Sequence, residues 1–262
     1  RIPLITHDSD AMPGLANRLV SGRAVLHATA LPASQYPAYQ ASKIHQVGVI
    51  VGPEYQLMTP QLQVGSKRKL SLPGDSPLLM ITGGSLGAKS INQAMAKIVP
   101  ELLTHNAQLQ IVHQVGRGHL DCYGSFSSNR LKVADLLPNL EVYLGAADLV
   151  VTRAGANTLA ELGVLAKAAI VVPNPHLTGG HQLKNAQYLA DQDAVEMVDD
   201  EQLNTLAGQQ QLNDRVNELL ASAERRQKLA YNFHQATILD GAQQLAKLIL
   251  LAAKPAPTEE KA

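Results

Sequence analysis

The chain has 262 residues, and its 22 lysine and arginine residues balance its 22 aspartate and glutamate residues, so the formal net charge is zero. Hydrophobic residues make up 45% and charged residues 17%, which excludes an intrinsically disordered chain and is typical of a globular protein. Because a nucleic-acid binder usually carries a basic excess, we expect no nucleic-acid partner. The single cysteine, Cys122, excludes an intramolecular disulfide and a multi-cysteine metal site.

Short aliphatic runs alternate with longer helical patterns along the chain. A helix is predicted to follow Ser85, with Leu86, Ile91 and Met95 near one face, and the pattern is helical from 201 to about 251. The other predicted elements are strands at 2–6, 77–82, 109–113, 131–134, 149–152, 169–172 and 194–198, and helices at 158–165 and 181–191. Strands that alternate with helices form parallel βαβ units, so the predicted class is α/β with an open doubly wound sheet.

The same alternation predicts how the chain is divided into domains. Residues 75–235 hold enough strands and helices for a complete doubly wound domain. Residues 1–52 hold two or three strand-like segments, which are too few, so we expect an N-terminally incomplete domain there. The proline- and glycine-bearing stretch 53–74 is predicted to be a linker, 236–251 a C-terminal helix and 252–262 a disordered tail.

A glycine-rich turn, Gly83-Gly84-Ser85-Leu86-Gly87-Ala88, follows the strand at 77–82. In open α/β sheets, ligands bind beyond the carboxyl ends of the strands, and glycines let the backbone approach an anion closely. The turn therefore suits a diphosphate, with Ser85 as a donor; the alternative is a plain turn in which Ser85 caps the helix. The turn has neither the lysine of a phosphate-binding loop nor the spacing of a dinucleotide fingerprint, which disfavours ATP hydrolysis and NAD chemistry.

A second turn follows the strand at 149–152 and reads Arg153-Ala154-Gly155-Ala156-Asn157-Thr158-Leu159-Ala160-Glu161. Thr158 and the amides of the helix N-terminus can bind a phosphate. Glu161 lies one turn further on and can accept hydrogen bonds from two vicinal hydroxyls, such as those of a ribose. The alternative is purely structural, because Thr158 and Glu161 also have the spacing of a capping box.

A third segment runs from Pro173 to Ala186. Its prolines and glycines predict a loop, and the helix after it opens with His181, Gln182 and Asn185. Gln182 and Asn185 are three residues apart and share a helix face. Amide side chains donate and accept hydrogen bonds, so this face suits the hydroxyls of a sugar.

These segments, in this order and spacing, resemble a family, the bacterial UDP-N-acetylglucosamine transferases of peptidoglycan synthesis. The resemblance covers about residues 2–250. The motifs that carry it are Gly83-Gly84-Ser85-x-Gly87-Ala88, His113-Gln114-x-Gly116, Arg153-x-Gly155-Ala156-x-Thr158-x-x-Glu161 and His181-Gln182-x-x-Asn185-Ala186. The N-terminal His7-Asp8-Ser9-Asp10-x-x-x-Gly14-Leu15-x-Asn17 is similar to a further segment of the family.

The resemblance implies an inverting GT-B glycosyltransferase of two Rossmann-like domains, the first incomplete, with no metal or other cofactor. The donor, UDP-N-acetylglucosamine, lies in the C-terminal domain of that family, and the lipid-linked acceptor meets the N-terminal one. Matched positions imply that Gly84, Ser85 and Gly87 contact the diphosphate and that the Leu137 backbone lines the uracil. They imply that Glu161 binds the ribose and that the sugar meets His181, Gln182 and Asn185. The remaining residues of the implied donor loop are Arg153, Ala156, Asn157, Thr158, Leu159 and Ala160.

The chain also departs from the family pattern. Where the family has Gly-Asn-Pro-Val-Arg, this chain has Gly52-Pro53-Glu54-Tyr55, without the arginine. By matched position, Asp10 and Asn17 face the acceptor cleft. An inverting transfer needs a group that takes the proton of the acceptor hydroxyl, and the candidates are His7, Asp8 and Asp10. The alternative is that His7 and Asp8 only brace the end of the strand.

The resemblance implies transfer of N-acetylglucosamine to lipid I (undecaprenyl-diphospho-muramoylpentapeptide), which gives lipid II for the cell wall. It also implies a peripheral protein at the cytoplasmic face of the cell membrane. The basic run Lys67-Arg68-Lys69 could touch anionic lipid, although such a short run is more often solvated. Two alternatives stay open: a donor-binding subunit or fragment that is inactive alone, and a UDP-sugar epimerase of the same architecture.

Overall fold

The computed structural model describes residues 2–253, apart from the side chain of Thr178. The strands are β1 Leu4–Asp8, β2 Ala24–Thr29, β3 Ile44–Gln46, β4 Leu78–Thr82, β5 Gln110–Gln114, β6 Leu131–Ala134, β7 Leu149–Thr152, β8 Ala169–Val171 and β9 Glu196–Met197. The helices are α1 Leu15–Val20, α2 Pro60–Lys69, α3 Lys89–His105, α4 Leu140–Ala146, α5 Ala156–Val164, α6 His181–Ala190, α7 Leu206–Ala221, α8 Ala223–Gln235 and α9 Gly241–Ala253. Short 3-10 turns lie at Ser21–Arg23, Ala33–Gln35, Ala41–Lys43, Leu120–Tyr123, Thr178–Gly180 and Glu201–Asn204.

The chain divides into two compact units, each with its own parallel sheet. The smaller unit combines the described residues up to Val51 with those from Ile238 onward, and its sheet has the order β1-β2-β3. The larger unit is Gly52–Thr237, and its six-stranded sheet has the order β6-β5-β4-β7-β8-β9. All strand pairs in both sheets are parallel, which confirms the predicted α/β class.

The larger sheet is buried on both faces because its strands are almost continuously apolar. Along β4, Leu79 and Ile81 face one core cluster while Leu78 and Met80 face the other, as the alternation of side chains in a strand requires. The strand order reverses between β4 and β7, which pair directly with each other. A topological switch point therefore lies between the turns that follow these two strands, where ligands of doubly wound sheets bind.

Two helices begin at positions that differ from the sequence prediction. Helix α3 begins at Lys89 with Ala88 at its N-cap, so Ser85 does not cap it and Leu86, which is 87% exposed, is not on its apolar face. Helix α5 begins at Ala156, so Thr158 lies inside the first turn and the capping-box alternative is wrong. In both places the backbone leaves the strand in a tight turn, and no side chain caps the helix.

The stretch 53–74, which was predicted to be a linker, contains helix α2. Its N-cap Thr59 accepts a hydrogen bond from the Leu62 amide, and Pro60 stands at N1, where a missing N–H costs nothing. The basic run at its end is only partly solvated. Lys67 is 4% exposed and donates to the Ser76 carbonyl at 2.7 Å and to the Asp148 carboxylate at 2.8 Å. Helix α2 therefore belongs to the larger unit.

The C-terminal helical region consists of three helices. Thr205 caps α7 and Ser222 caps α8 through their side-chain oxygens. The helical pattern stops after α8 and resumes at Gly241, later than the predicted start at 236, and α9 runs on to Ala253. Of the predicted disordered tail, residues 254–262 lie outside the described residues.

Candidate functional site

The glycine-rich turn after β4 is fixed by close packing against the turn after β5. Gly84 and Gly87 have φ values of 81° and 74°, which favour glycine, and so does Gly116 with 83°. A Cβ at Gly87 would collide with the carbonyl oxygen of Val115, and one at Gly116 would collide with the backbone of Gly87. These contacts hold the turn close to the end of the sheet, and Ser85 at its tip is exposed.

Gln114 connects the glycine-rich turn to Leu137, the residue whose backbone was predicted to line the uracil. Its buried side-chain amide donates to the Thr82 hydroxyl at 3.2 Å and to the Gly84 carbonyl at 3.4 Å. Its oxygen accepts the backbone N–H of Leu137 at 2.9 Å. The Leu137 amide is therefore already paired, so a backbone contact of Leu137 with uracil would have to come from its carbonyl oxygen.

His113 precedes Gln114 in β5 and is hydrogen-bonded within the protein. It is fully buried, and burial lowers its pKa to about 3, so the ring is neutral. Its Nδ1 lies 2.8 Å from the Tyr123 hydroxyl and its Nε2 lies 3.1 Å from Asn92 Oδ1, which can only accept. The proton therefore sits on Nε2, and the Asn92 amide in turn donates to the Val115 carbonyl at 2.8 Å.

The start of α5 leaves donors available beside the switch point. Gly155 is the N-cap and makes no side-chain cap, so the amides of Ala156, Asn157 and Thr158 have no acceptor within the helix. Leu159 and Ala160 were also predicted to bind the donor, but their side chains are buried. The Leu159 amide donates to the Gly155 carbonyl at 3.0 Å. Leu159 and Ala160 therefore pack the helix against the core, and the available hydrogen-bond donors are the amides of the first turn.

Glu161 is half-buried, and its pKa is raised above the usual range of a carboxyl group. Burial raises its pKa to about 7, a hydrogen bond from Tyr55 opposes this effect, and the charge of Glu54 adds to it. The same contact with Glu161, together with burial, raises the pKa of Tyr55. Tyr55 stands in the segment where this chain lacks the family's arginine, so a neutral donor lies beside Glu161 in this protein.

Arg153 is paired within the protein. Its guanidinium forms an ion pair with Asp200 at 2.6 Å, and donates to the Ser90 hydroxyl at 2.7 Å and to the Val172 carbonyl at 3.1 Å. Ser90 also donates to Asp200. Asp200 therefore compensates the charge of Arg153. The hydrogen bonds to Ser90 and Val172 connect the first turn of α3 to the loop after β8. Nothing in the sequence pattern pointed to Ser90 or Asp200.

The third predicted segment is also held by its amide side chains. Gln182 is buried, and its oxygen accepts the Asn174 amide at 3.0 Å. Asn185 is 5% exposed and donates to the carbonyl of Ala154, just before α5, at 3.2 Å. His181 is the first residue of α6 and is half-exposed. The two amides thus position the loops at the end of the sheet, and the Gln182 side chain also reaches the cleft described next.

A cleft of about 580 Å³ brings the three segments together at the carboxyl end of the larger sheet. This volume is within the ordinary range for small-ligand sites. Residues that line it come from each segment: Gly87, Lys89, Arg153, Asn174, Leu177 and Gln182. Sequence reasoning missed Lys89 and Asn174; a lysine that opens a helix directly after a glycine-rich turn is a signal that could have identified the first. Ser85 and Glu161 are not among the lining residues, although both follow the carboxyl ends of the adjacent strands β4 and β7.

The N-terminal candidates lie at the carboxyl end of the smaller sheet. Asp8 is 4% exposed, and its Oδ1 accepts the Gly14 amide at 2.9 Å and the Asn17 side-chain amide at 2.8 Å. Its Oδ2 accepts the Tyr39 hydroxyl at 2.7 Å. Asn17 also donates to the His7 carbonyl at 2.8 Å. Asp8 and Asn17 are thus paired with each other, an arrangement that favours the bracing alternative for Asp8.

His7 and Asp10 have different surroundings from Asp8. Nε2 of the half-buried His7 lies 3.0 Å from the Gly48 carbonyl and must donate there, so Nδ1 carries the lone pair of the neutral ring. Asp10 is half-buried, and its backbone carbonyl accepts the Tyr36 hydroxyl at 2.8 Å.

Within residues 2–253, no group of three or more His, Cys, Asp or Glu side chains has the arrangement of a metal site. No helix in this range combines the length and apolar character needed to cross a membrane.

Residues 78–245, well over half of the chain, match the model of the glycosyltransferase family 28 C-terminal domain. The matched range contains the cleft and all residues of the larger unit that were predicted to bind the donor.

Two relatives are named UDP-N-acetylglucosamine--N-acetylmuramyl-(pentapeptide) pyrophosphoryl-undecaprenol N-acetylglucosamine transferase. The one from Shewanella frigidimarina is 32% identical over 257 residues, which cover 94% of this chain and 65% of that protein. The one from Natranaerobius thermophilus is 32% identical over 212 residues, which cover 78% of this chain and 57% of that protein. The chain thus spans less than two-thirds of the length of these relatives.

Among solved structures, MurG of Acinetobacter baumannii superimposes with a TM-score of 0.69 at 23% identity, over 95% of this chain and 67% of that one. At this identity the likeness shows the fold, and it confirms the predicted GT-B architecture with two parallel sheets. The match of the family model to residues 78–245 shows that the chain belongs to glycosyltransferase family 28.

Proposed function

We propose that this chain binds UDP-N-acetylglucosamine at the carboxyl end of its larger sheet, at the cleft and at Glu161 in the helix after β7, and serves an inverting transfer of N-acetylglucosamine to lipid I, which gives lipid II in peptidoglycan synthesis. The observation that carries the proposal is the convergence of three strand-end segments on one cleft of about 580 Å³. The names of the relatives support the same donor and a lipid-linked acceptor.

The chemistry of the cleft suits a nucleoside diphosphate. The amides in the first turns of α3 and α5 point towards the carboxyl end of the sheet, where the helix dipoles favour an anion. Lys89 lines the cleft and adds a positive charge that Arg153, paired with Asp200, does not supply. When the bond between the sugar and the diphosphate breaks, these groups stabilise the negative charge that develops on the leaving UDP.

The acceptor hydroxyl attacks the anomeric carbon, and its proton passes to a base. Asp8 already accepts three hydrogen bonds, so it is the weakest of the three candidates. We keep His7 and Asp10 as candidate bases, and for His7 the accepting atom is Nδ1.

We also propose that the protein acts peripherally at the cytoplasmic face of the cell membrane, because its lipid-linked acceptor lies in a membrane. In the basic run of α2, Lys67 is buried against Asp148, so only Arg68 and Lys69 remain exposed to a lipid surface. Two exposed charges contribute roughly 1 kcal/mol each near an anionic membrane, which is too little to anchor the chain.

The test is UDP binding by calorimetry to Glu161→Ala, with Glu101→Ala, an exposed glutamate in α3, as the control. Loss of a charged partner for the ribose hydroxyls should weaken UDP binding by roughly 1–3 kcal/mol, while the control binds normally. Wild-type affinity in Glu161→Ala would contradict the assignment. Incubation with UDP-N-acetylglucosamine and no acceptor tests the epimerase alternative, because an isomerised donor would show that chemistry.

A further inference from the structure

The amino end of the larger sheet, opposite the cleft, holds two buried lysines beside one carboxylate. Lys67 and Lys167 are each 4% exposed, and Asp148 directly precedes β7. The Lys67 ammonium pairs with Asp148 at 2.8 Å. Lys167 donates instead to the backbone carbonyls of Gly145 and Ala147, at 2.7 Å and 3.0 Å. Among the described residues, Lys167 therefore has no ion pair of its own.

Lys167 is largely an uncharged amine just above neutral pH. Burial lowers its pKa to about 7; the charge of Asp148 opposes this effect and the charge of Lys67 adds to it. An uncharged amine has two N–H groups, and the two carbonyls accept both of them. The third position on the nitrogen is then a lone pair, so Lys167 has the chemistry of a desolvated, nucleophilic lysine.

A cavity of about 160 Å³ lies beside Lys167. Asp148, Gln63 of α2 and Arg226 of α8 also line it, and alanines form most of its remaining wall. The volume is several times the roughly 30 Å³ that a water molecule occupies, but it is below the roughly 300 Å³ at which pockets for drug-sized ligands begin. The cavity therefore suits a small electrophile rather than a nucleotide or a sugar.

The charges around this cavity favour the addition of one negative charge. Arg226 donates through Nη1 to two carbonyls at the end of α7, and within the described part of the chain no carboxylate pairs with it. Lys67 and Arg226 thus bring two positive charges against the single negative charge of Asp148. A protonated Lys167 would make this three against one, whereas an anionic group on Lys167 would balance the cluster.

We propose that Lys167 is a carbamylation site, whose Nζ binds carbon dioxide reversibly as a carbamate. The lone pair of Nζ attacks the carbon atom, one C=O pair moves onto oxygen to give the carboxylate, and the nitrogen loses one proton to solvent. The remaining N–H donates to the Gly145 carbonyl, and the Ala147 carbonyl keeps a second donor, the Gln63 side chain at 3.0 Å. Arg226 lines the same cavity and stabilises the carbamate anion.

The experiment incubates the full chain at pH 8 with ¹³C-labelled bicarbonate, which is in equilibrium with carbon dioxide. Triethyloxonium then ethylates any carbamate and makes it permanent, and peptide mass spectrometry locates the label. We expect at least tenfold more label on Lys167 than on Lys67. Lys67 is the matched control within the same molecule, because it is equally buried but is paired with Asp148.

Substitutions in α8 test the role of the cavity. Arg226→Gln removes the positive charge and should lower the label on Lys167 at least fivefold, and Arg226→Lys should restore part of it. Gln227→Ala is the matched control, since Gln227 lines the same cavity without a charge, and it should leave the label unchanged. Circular dichroism and UDP calorimetry check that each variant is folded and that the distant cleft is intact.

The wild-type chain alone can overturn the proposal, because that measurement needs no substitution. Absence of label on Lys167 would do so. Equal label on Lys67 or on the exposed Lys97 would also do so, because it would show unselective chemistry. An unchanged label in a folded Arg226→Gln variant would contradict the charge balance on which the site depends.

Discussion

Asp8 is the last residue of β1 and Glu161 lies in the helix that follows β7, so both are near the carboxyl end of a parallel sheet, but their surroundings differ. Asp8 is buried and accepts hydrogen bonds from Gly14, Asn17 and Tyr39, all within the smaller unit. Glu161 is half-buried, has Tyr55 as a neighbour, and its pKa is raised to about 7. The smaller unit thus has a carboxylate that is hydrogen-bonded within the protein near its sheet end, and the larger unit has one with a raised pKa.

The polar groups around Asp8 satisfy one another. Tyr39 stacks on His27 with ring centroids 3.8 Å apart, and His27 Nδ1 lies 2.7 Å from the Thr6 hydroxyl. In the larger unit, the turn after β4 is held by glycine packing and by Gln114, whereas the first-turn amides of α5, after β7, have no side-chain cap. The two sheets therefore differ in the backbone donors that are left at their carboxyl ends, although the strands within each sheet are parallel.

The largest expected effect comes from Gly87→Ala. A Cβ there would meet the Val115 carbonyl in a left-handed backbone conformation, so we expect a loss of about 3 kcal/mol in the free energy of unfolding, and weaker UDP binding. Gly84→Ala is the matched control, because its φ of 81° is similar but a Cβ there meets nothing within 4 Å. It should cost about 1 kcal/mol. If both variants lost the same free energy of unfolding in urea, the packing between the turns after β4 and β5 would not be what fixes the glycine-rich turn.

A smaller effect is expected from Asp8→Asn. The substitution removes a charge that accepts three hydrogen bonds, so the free energy of unfolding should fall by about 2 kcal/mol, as measured by urea denaturation. UDP binding should stay unchanged. Asp10→Asn is the comparison variant for a catalytic role. If Asp8→Asn lost transfer activity at unchanged stability, Asp8 would be the base, and the proposed structural difference between Asp8 and Glu161 would be wrong.

The smallest expected effect is the pH dependence of UDP binding. Because burial raises the pKa of Glu161 to about 7, the carboxylate becomes charged as pH rises from 6 to 8 and accepts the ribose hydroxyls better. Wild-type affinity should therefore rise roughly threefold more, about 0.6 kcal/mol, than that of Glu161→Gln over this range. UDP itself titrates equally in both proteins, so calorimetry of the pair isolates Glu161.

The stability contribution of Glu161 has the opposite sign. Between its ordinary pKa of 4.5 and about 7, the folded protein keeps a proton that the unfolded chain releases, so this contribution falls as pH rises through the window. Glu161→Gln should remove that decline in thermal unfolding. An identical pH dependence in both proteins would show that Glu161 has no raised pKa.

The strands of the larger sheet and the three segments of the site were predictable because their signals are local. An aliphatic run such as 78–82 followed by glycines predicts a strand and a turn wherever it occurs. The start of α5 was missed because Thr158 and Glu161 carry a local capping signal that the tertiary structure does not use. Helix α2 was missed because prolines and glycines flank it, and because its contacts are with distant residues, such as the pairing of Lys67 with Asp148, 81 residues away.

The amino-acid sequence by itself determined the α/β class, the order of the segments and the residue types that suit a nucleotide sugar, since each depends on patterns within a few residues. The tertiary structure decided which of those residues remain available. It closed Asp8, Arg153 and Asn185 into internal hydrogen bonds, and it brought Lys89 and Asn174 to the cleft. The physical reason is that folding decides which partners each polar side chain meets, so a local pattern cannot show which hydrogen bonds are already made.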